Sequence, residues 1–174
     1  MKEVSVNNQM KLSQHFSLGE LTKTKSVTED GNIPSHVAIE NLKRVCGWLE
    51  ELRARYNRLY VWNVEGGMWN EEPIVINSGY RSPEVNRLAG GAANSNHLTG
   101  CAVDIRCAGK VQMIRYVAIL LDIADGTKRE FDELLLEQHG SVCWLHFAVR
   151  PKENRSRISF LKAYNLTLGS GPKT

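Results

Sequence analysis

The 174-residue sequence lacks several features that would assign it to a specialised class. Its four cysteines form no CxxC pair and no dense framework, so we expect buried thiols rather than disulfides. No stretch approaches the roughly eighteen apolar residues of a membrane helix, and the N-terminal segment lacks the apolar run of a signal peptide. We therefore expect a chain made in the cytoplasm, without membrane insertion. With 22 basic and 19 acidic residues the net charge is only +3, so we expect no nucleic-acid partner.

The common catalytic signatures are also missing. There is no HExxH helix, GxSxG elbow, GxxxxGK[ST] phosphate loop or GxGxxG turn. Attention therefore moves to the five histidines, of which His15, His36 and His139 lie in polar segments where a solvated imidazole is ordinary. His97 and His146 differ because each lies beside a predicted strand.

The hydrophobic pattern predicts one domain over residues 1–164, with a loose arm at 1–16 and a flexible tail at 165–174. Ser17 and Ser35 are candidate N-caps of helices, and Pro83 opens a short helical piece. Helices are predicted over 18–24, 35–57 and 110–124. A strand or ribbon is predicted over 58–72, strands over 73–77, 101–106, 131–137 and 142–149, and an extended piece over 157–164.

His97 stands seven residues before Asp104, on a loop that feeds the strand carrying the aspartate. Side chains alternate along a strand, so Asp104 shares its face with Ala102 and Arg106 while the residues between them point into the core. A carboxylate in such an apolar strand needs a cation or hydrogen-bond donors to offset its desolvation. An aspartate and a loop histidine arranged in this way are able to converge on one point.

The same alternation puts His146 on one face of its strand with Trp144 and Ala148, away from the apolar face. Two imidazoles and one carboxylate give zinc three ligands and leave a fourth position for water, the pattern of catalytic zinc sites. The alternative is three separate structural residues: a loop histidine, a paired carboxylate and a core histidine bonded to backbone. The alternation of side chains along the strands and the spacing of the three residues leave both interpretations open.

The segments SGYRSPEVN, GGAANSNHLTGCAVDI, FDELLLE and WLHFAV together resemble the zinc D-alanyl-D-alanine peptidase family, whose fold is shared with hedgehog signalling domains. The opening LSQHFSLGELTKT is similar to the start of phage or prophage members, and the likeness runs over residues 12–155. The resemblance implies an α+β fold, in which a small antiparallel sheet carries a zinc site and packs against helices. It also implies that His97, Asp104 and His146 bind Zn²⁺.

The resemblance further implies roles in substrate binding. Arg81, from the SGYR segment, would face a substrate carbonyl or carboxylate and stabilise the transition state, although it could instead tie a loop. Ser95 matches the metal motif and is assigned to substrate binding. Trp144 would form a wall of the cleft or, alternatively, be a buried structural residue.

The general base is assigned by position. Vancomycin-resistance dipeptidases have an acid three residues before the last zinc histidine, where this sequence has Cys143, a poor substitute that faces the wrong way. Other members end the preceding strand with an acid, which here is Glu137. We therefore expect Glu137 to act as base, against the alternative of an exposed strand-end carboxylate.

These features predict a monomeric zinc peptidase that cleaves D-alanine-containing stem peptides of peptidoglycan, as a carboxypeptidase or an endopeptidase. The missing signal favours a phage-type lytic enzyme that reaches the wall through a holin or another export route. Two alternatives remain: a cytoplasmic D-alanyl-D-alanine dipeptidase, and a zinc-containing wall-binding module without turnover.

Overall fold

A computed structural model describes residues 8–62 and 70–162 of the chain. Its helices are α1 (Leu18–Leu21), α2 (His36–Tyr56), α3 (Pro83–Leu88) and α4 (Lys110–Thr127), with one π-helical turn at Asn57–Val61 and one 3₁₀ turn at Asn96–Thr99. Its strands are β1 (Ile76–Ser78), β2 (Ala102–Cys107), β3 (Glu133–His139), β4 (Val142–Ala148) and β5 (Arg157–Lys162). No helix in the described ranges is long and apolar enough to cross a membrane.

Serine side chains begin the first two helices, as the sequence predicts. The Ser17 hydroxyl accepts a bond from the backbone N–H of Glu20, and the Glu20 carboxylate accepts one from the backbone N–H of Ser17. The Ser35 hydroxyl likewise accepts a bond from the backbone N–H of Ala38. Such caps satisfy N–H groups that have no partner within the helix.

The five strands form one sheet in the order β1-β2-β4-β3-β5. The first four pair antiparallel, and the β3–β4 hairpin turns at Gly140 and Ser141. The fifth strand pairs parallel with β3, so the sheet is mixed rather than purely antiparallel. The predicted α+β class is confirmed, whereas the parallel edge strand was not foreseen, because nothing in its own residues fixes its direction.

The core lies between the sheet and the two long helices. Alternate side chains of the central strands point toward α2 and α4: Val103, Ile105 and Cys107 from β2, and Cys143, Leu145 and Phe147 from β4. The ring of Phe147 meets that of Trp48 on α2 edge to face, with centroids 5.4 Å apart. Each fully buried leucine or phenylalanine contributes about 1.5–3 kcal/mol to folding, so this face holds the sheet to the helices.

Three predictions about local structure need correction. The prediction of a loose arm is wrong for residues 8–16, because Leu12 and Phe16 are buried in the core. These two apolar side chains anchor an otherwise polar segment. Residues 58–61 continue α2 as a π-helical turn instead of forming a strand. The strand predicted at 73–77 is shorter and begins at Ile76. Residues 1–7, 63–69 and the predicted tail at 165–174 lie outside the described part of the chain.

Candidate metal centre

Asp104 and His146 lie directly opposite each other on β2 and β4. Both side chains are buried on the sheet face that points away from the helices. The imidazole Nδ1 of His146 lies 3.0 Å from Oδ1 of Asp104. Strand alternation and register are therefore sufficient to bring the second and third predicted ligands together.

His97 enters from the 3₁₀ turn that precedes β2. Its Nε2 lies 3.3 Å from Oδ1 of Asp104, and its Nδ1 donates to the carbonyl oxygen of Gly79 at 2.6 Å. Gly100 ends the turn in the left-handed conformation, and a Cβ there would lie 2.4 Å from the carbonyl oxygen of Ala38. The turn can therefore approach α2 closely only with glycine at this position.

The donor atoms suit a tetrahedral metal ion. One ligand atom from each of His97, Asp104 and His146 lies within 4.8 Å of the other two. Zinc–nitrogen bonds of about 2.0–2.1 Å in tetrahedral geometry separate ligand atoms by roughly 3.3 Å, close to the observed contacts. The bond from Nδ1 of His97 to Gly79 fixes the tautomer that leaves Nε2 free to bind a metal. The residues present therefore fit Zn²⁺.

The charges of the cluster are strongly coupled. Burial would raise the pKa of Asp104, but hydrogen bonds with His146 and His97 outweigh it and hold that pKa well below its usual range. Burial would lower the pKa of His146, but contacts with Asp104 and Glu133 raise it to about 9. A proton and a metal ion therefore compete for the same imidazole nitrogen.

Glu133 is a site residue that the sequence reasoning missed. Its Oε2 lies 3.3 Å from Nε2 of His146, the nitrogen that faces away from Asp104, although that nitrogen has no well-aligned hydrogen bond within the described residues. The contact with His146 is the largest influence lowering the pKa of Glu133. Glu133 lies four residues before Glu137 and therefore on the same strand face, so the alternation rule could have identified it.

A buried polar network holds Glu133 in place. The side-chain amide of Asn96 donates to Oε2 of Glu133 at 3.1 Å and to Oδ2 of Asp132 at 2.8 Å. Asp132 is fully buried and accepts two bonds from the guanidinium of Arg155, at 2.9 and 2.7 Å. Nη1 of Arg157 lies 3.3 Å from Oε1 of Glu133. Arg155 and the first residue of β5 therefore support Glu133 on the outer side of His146.

Arg81 lies against the same cluster. Its Nη2 donates to Oδ2 of Asp104 at 2.6 Å, and its Nε donates to the hydroxyl of Ser78 at 2.8 Å. No described residue bonds Nη1. The guanidinium is thus fixed beside the candidate metal centre, with donor capacity left for a substrate oxygen.

Glu137 lies opposite Trp144 in the β3–β4 register. Trp144 is the neighbour of His146 on the same face of β4, two residues before it. The carboxylate is half-buried, and this burial, together with the nearby charge of Asp104, raises its pKa. A carboxylate with a raised pKa accepts a proton more readily, as a general base must. The position is compatible with the predicted role, and Trp144 forms the adjoining half-buried surface.

Ser95 has a structural contact that its predicted role did not include. Its hydroxyl accepts a bond from the backbone N–H of His97 at 3.3 Å and so begins the 3₁₀ turn. The side chain is half-buried. Its assignment to substrate binding stays a prediction.

A comparison with known protein families shows which family the chain belongs to. The family model described as Peptidase M15 matches residues 14–131, which is more than half of the chain. The chain belongs to the peptidase M15 family. M15 peptidases are zinc-dependent, so family membership indicates that this chain is a metallopeptidase. Its α+β architecture, with a mixed five-stranded sheet and helices, agrees with the family's fold. No match was found among curated proteins.

The M15 match covers Arg81, His97 and Asp104 but ends before β3. His146, Glu133 and Glu137 lie beyond it, on the β3–β4 hairpin. Their convergence with the matched residues therefore comes from the structure independently of the family model.

Proposed function

We propose that this M15 peptidase is a zinc enzyme that hydrolyses D-alanine-containing peptide bonds of bacterial peptidoglycan. The observation that carries the proposal is the convergence of His97 Nε2, Asp104 Oδ1 and His146 Nδ1 at one buried point. Three neutral or anionic ligands with an open fourth position are typical of catalytic rather than structural zinc. Arg81 and Glu137 flank the same point and supply the remaining polar groups for amide hydrolysis.

Zinc held by these ligands would act as a Lewis acid that polarises water and the carbonyl group of the scissile bond. We propose that Glu137 accepts the proton of the attacking water and returns it to the leaving amine. Its raised pKa supports the first half of that transfer, because a more basic carboxylate accepts a proton more readily.

Arg81 would bind the carbonyl oxygen as negative charge develops on it. Its bonds to Asp104 and Ser78 hold the guanidinium still, so little reorganisation is needed when the charge appears. A donor of this kind in other hydrolases contributes roughly 10²–10³ in kcat.

A cleft beside Arg81 favours wall peptides over a free dipeptide. It has a volume of about 400 Å³ and extends from Arg81 along β1 to Arg106. A dipeptidase needs a pocket closed at both ends, whereas a stem peptide needs room to continue past the cleaved bond. We therefore propose a carboxypeptidase or endopeptidase of the phage lytic type, acting at the wall after release from the cell in which it is made.

The test is digestion of purified peptidoglycan and of free D-alanyl-D-alanine by zinc-loaded protein. Released D-alanine would identify a carboxypeptidase, and new peptide amines would identify an endopeptidase. We expect activity on the wall, loss of that activity with a chelator, and recovery when zinc is returned. Activity on the free dipeptide alone would favour the dipeptidase.

Glu137→Gln separates metal binding from turnover. We expect kcat to fall by about 10²–10⁴-fold while zinc stoichiometry stays unchanged, because general base catalysis is lost and no ligand is removed. Glu130→Gln, at an exposed carboxylate just before β3, is the matched control and should keep full activity. Normal turnover in Glu137→Gln would remove Glu137 from the mechanism, and zinc-loaded protein inactive on every substrate would favour a binding module.

A further inference from the structure

The cleft beside Arg81 is lined by cationic side chains. Four of its lining residues are basic, namely Lys23, Lys25, Arg81 and Arg106, and no acidic residue is among the described residues that line it. The lining residues come from the segment after α1, from β1 and its flanking residues, from the region of α3 and from Arg106 on β2. A concave surface with charge of one sign concentrates ligands of the opposite sign.

Three of these cations have no ion pair within the described ranges. Lys23, Lys25 and Arg106 are exposed, and no carboxylate lies within salt-bridge distance of them. Glu72 lines a smaller pocket together with Arg106, and its carboxylate accepts a bond from Gln112 at 2.7 Å. By contrast, Arg155 and Arg157 both contact carboxylates. The cations of the cleft are therefore available to a ligand.

The cleft lies beside the candidate metal centre, and Arg81 connects the two. Arg81 lines the cleft and also donates to Asp104, a predicted metal ligand. Arg106 lies two residues beyond Asp104 on the same strand face and opposite Trp144 in the sheet register.

We infer that Lys23, Lys25 and Arg106 form a binding subsite for a carboxylate-bearing arm of the peptide substrate. The inference rests on the proposed function, which it extends by naming the substrate class: an anionic peptide with at least one free carboxylate beyond the cleaved bond. Arg106 supplies a planar fork for a carboxylate. The two lysines add positive charge on flexible side chains from the segment after α1.

The test compares two soluble D-alanine stem peptides that differ only in having a free or an amidated carboxylate away from the cleaved bond. Wild-type protein should show a KM about tenfold lower for the free carboxylate, with a difference that shrinks as salt is added. Arg106→Gln combined with Lys25→Gln should remove this preference by raising KM for the free carboxylate. Lys152→Gln, at an exposed lysine on another surface, is the control and should keep it.

A second measurement separates this inference from the proposed function. Zinc-loaded Glu137→Gln protein is titrated with each peptide, so that binding is read without turnover. Cleavage of both peptides with equal KM would overturn the subsite and leave the peptidase intact. Cleavage of neither would overturn the peptidase, and the titration would then decide the subsite: tighter binding of the free carboxylate supports it, and equal binding overturns it.

Discussion

The two faces of the central sheet differ in what their residues do. On the helix side, β2 and β4 present only apolar or thiol side chains, and these join one continuous core. On the other side, the same strands present Asp104, Arg106, Trp144 and His146. A strand places neighbouring residues on opposite faces, so folding and chemistry alternate residue by residue along it.

This arrangement explains what holds the charged cluster in place. Asp104 and His146 take their positions from strands that are fixed by burial on the opposite face, and His97 joins them from the turn before β2. The carboxylate and imidazole groups need only short contacts across the register to converge. Changes on the two faces should therefore have separable effects, on chemistry for one and on stability for the other.

The strongest test of the site face is removal of a proposed metal ligand. His146→Gln should lower zinc affinity by more than about 100-fold, since even the outer partners of metal ligands typically contribute 10–100-fold. Peptidase activity should be lost with the metal. Metal analysis after dialysis, together with circular dichroism, would measure both the site and the fold. Retention of one tightly bound zinc per chain would show that His146 is not a ligand.

The matching test of the core face is Leu134→Ala. Leu134 is fully buried and lies opposite Phe147, next to Glu133 in the chain. The cavity should reduce the free energy of unfolding by about 2–5 kcal/mol, measured by denaturant titration. Zinc stoichiometry should not change. Loss of zinc at unchanged stability would contradict the assignment of stability to one face of the sheet and metal binding to the other.

A smaller effect is expected from Glu133→Gln, which removes the carboxylate facing Nε2 of His146. Zinc affinity should fall by about 10–100-fold, because the imidazole loses an outer partner that orients it and raises its basicity. Competition with a zinc-binding dye would measure the change, and Glu130→Gln serves as the exposed control. Equal affinities in the two variants would leave Glu133 with a structural role alone.

The smallest effect is expected from Ser95→Ala. Loss of the bond to the backbone N–H of His97 should reduce the free energy of unfolding by about 1 kcal/mol, as for other caps. The predicted substrate-binding role would in addition raise KM. An unchanged KM, with the expected loss of stability, would limit Ser95 to shaping the turn.

The helices and the antiparallel strands were largely predictable, because capping residues and hydrophobic periodicity are local signals. Ser17, Ser35 and Pro83 each begin the helix expected of them. The direction of β5 and the π-helical turn at Asn57–Val61 were not predictable, since neither follows from the residues of those segments. The same holds for Leu12, whose burial depends on a distant surface that covers it.

For the candidate metal centre, the sequence by itself determined which face of each strand Asp104 and His146 would occupy, because alternation is a property of any strand. It also supplied the motif that links His97 to Asp104. Only the tertiary structure decided that β2 and β4 are neighbours in a register that sets those side chains opposite each other. The outer support of Glu133 likewise needed the long-range contacts of Asp132 with Arg155 and Asn96, which join segments far apart in the chain.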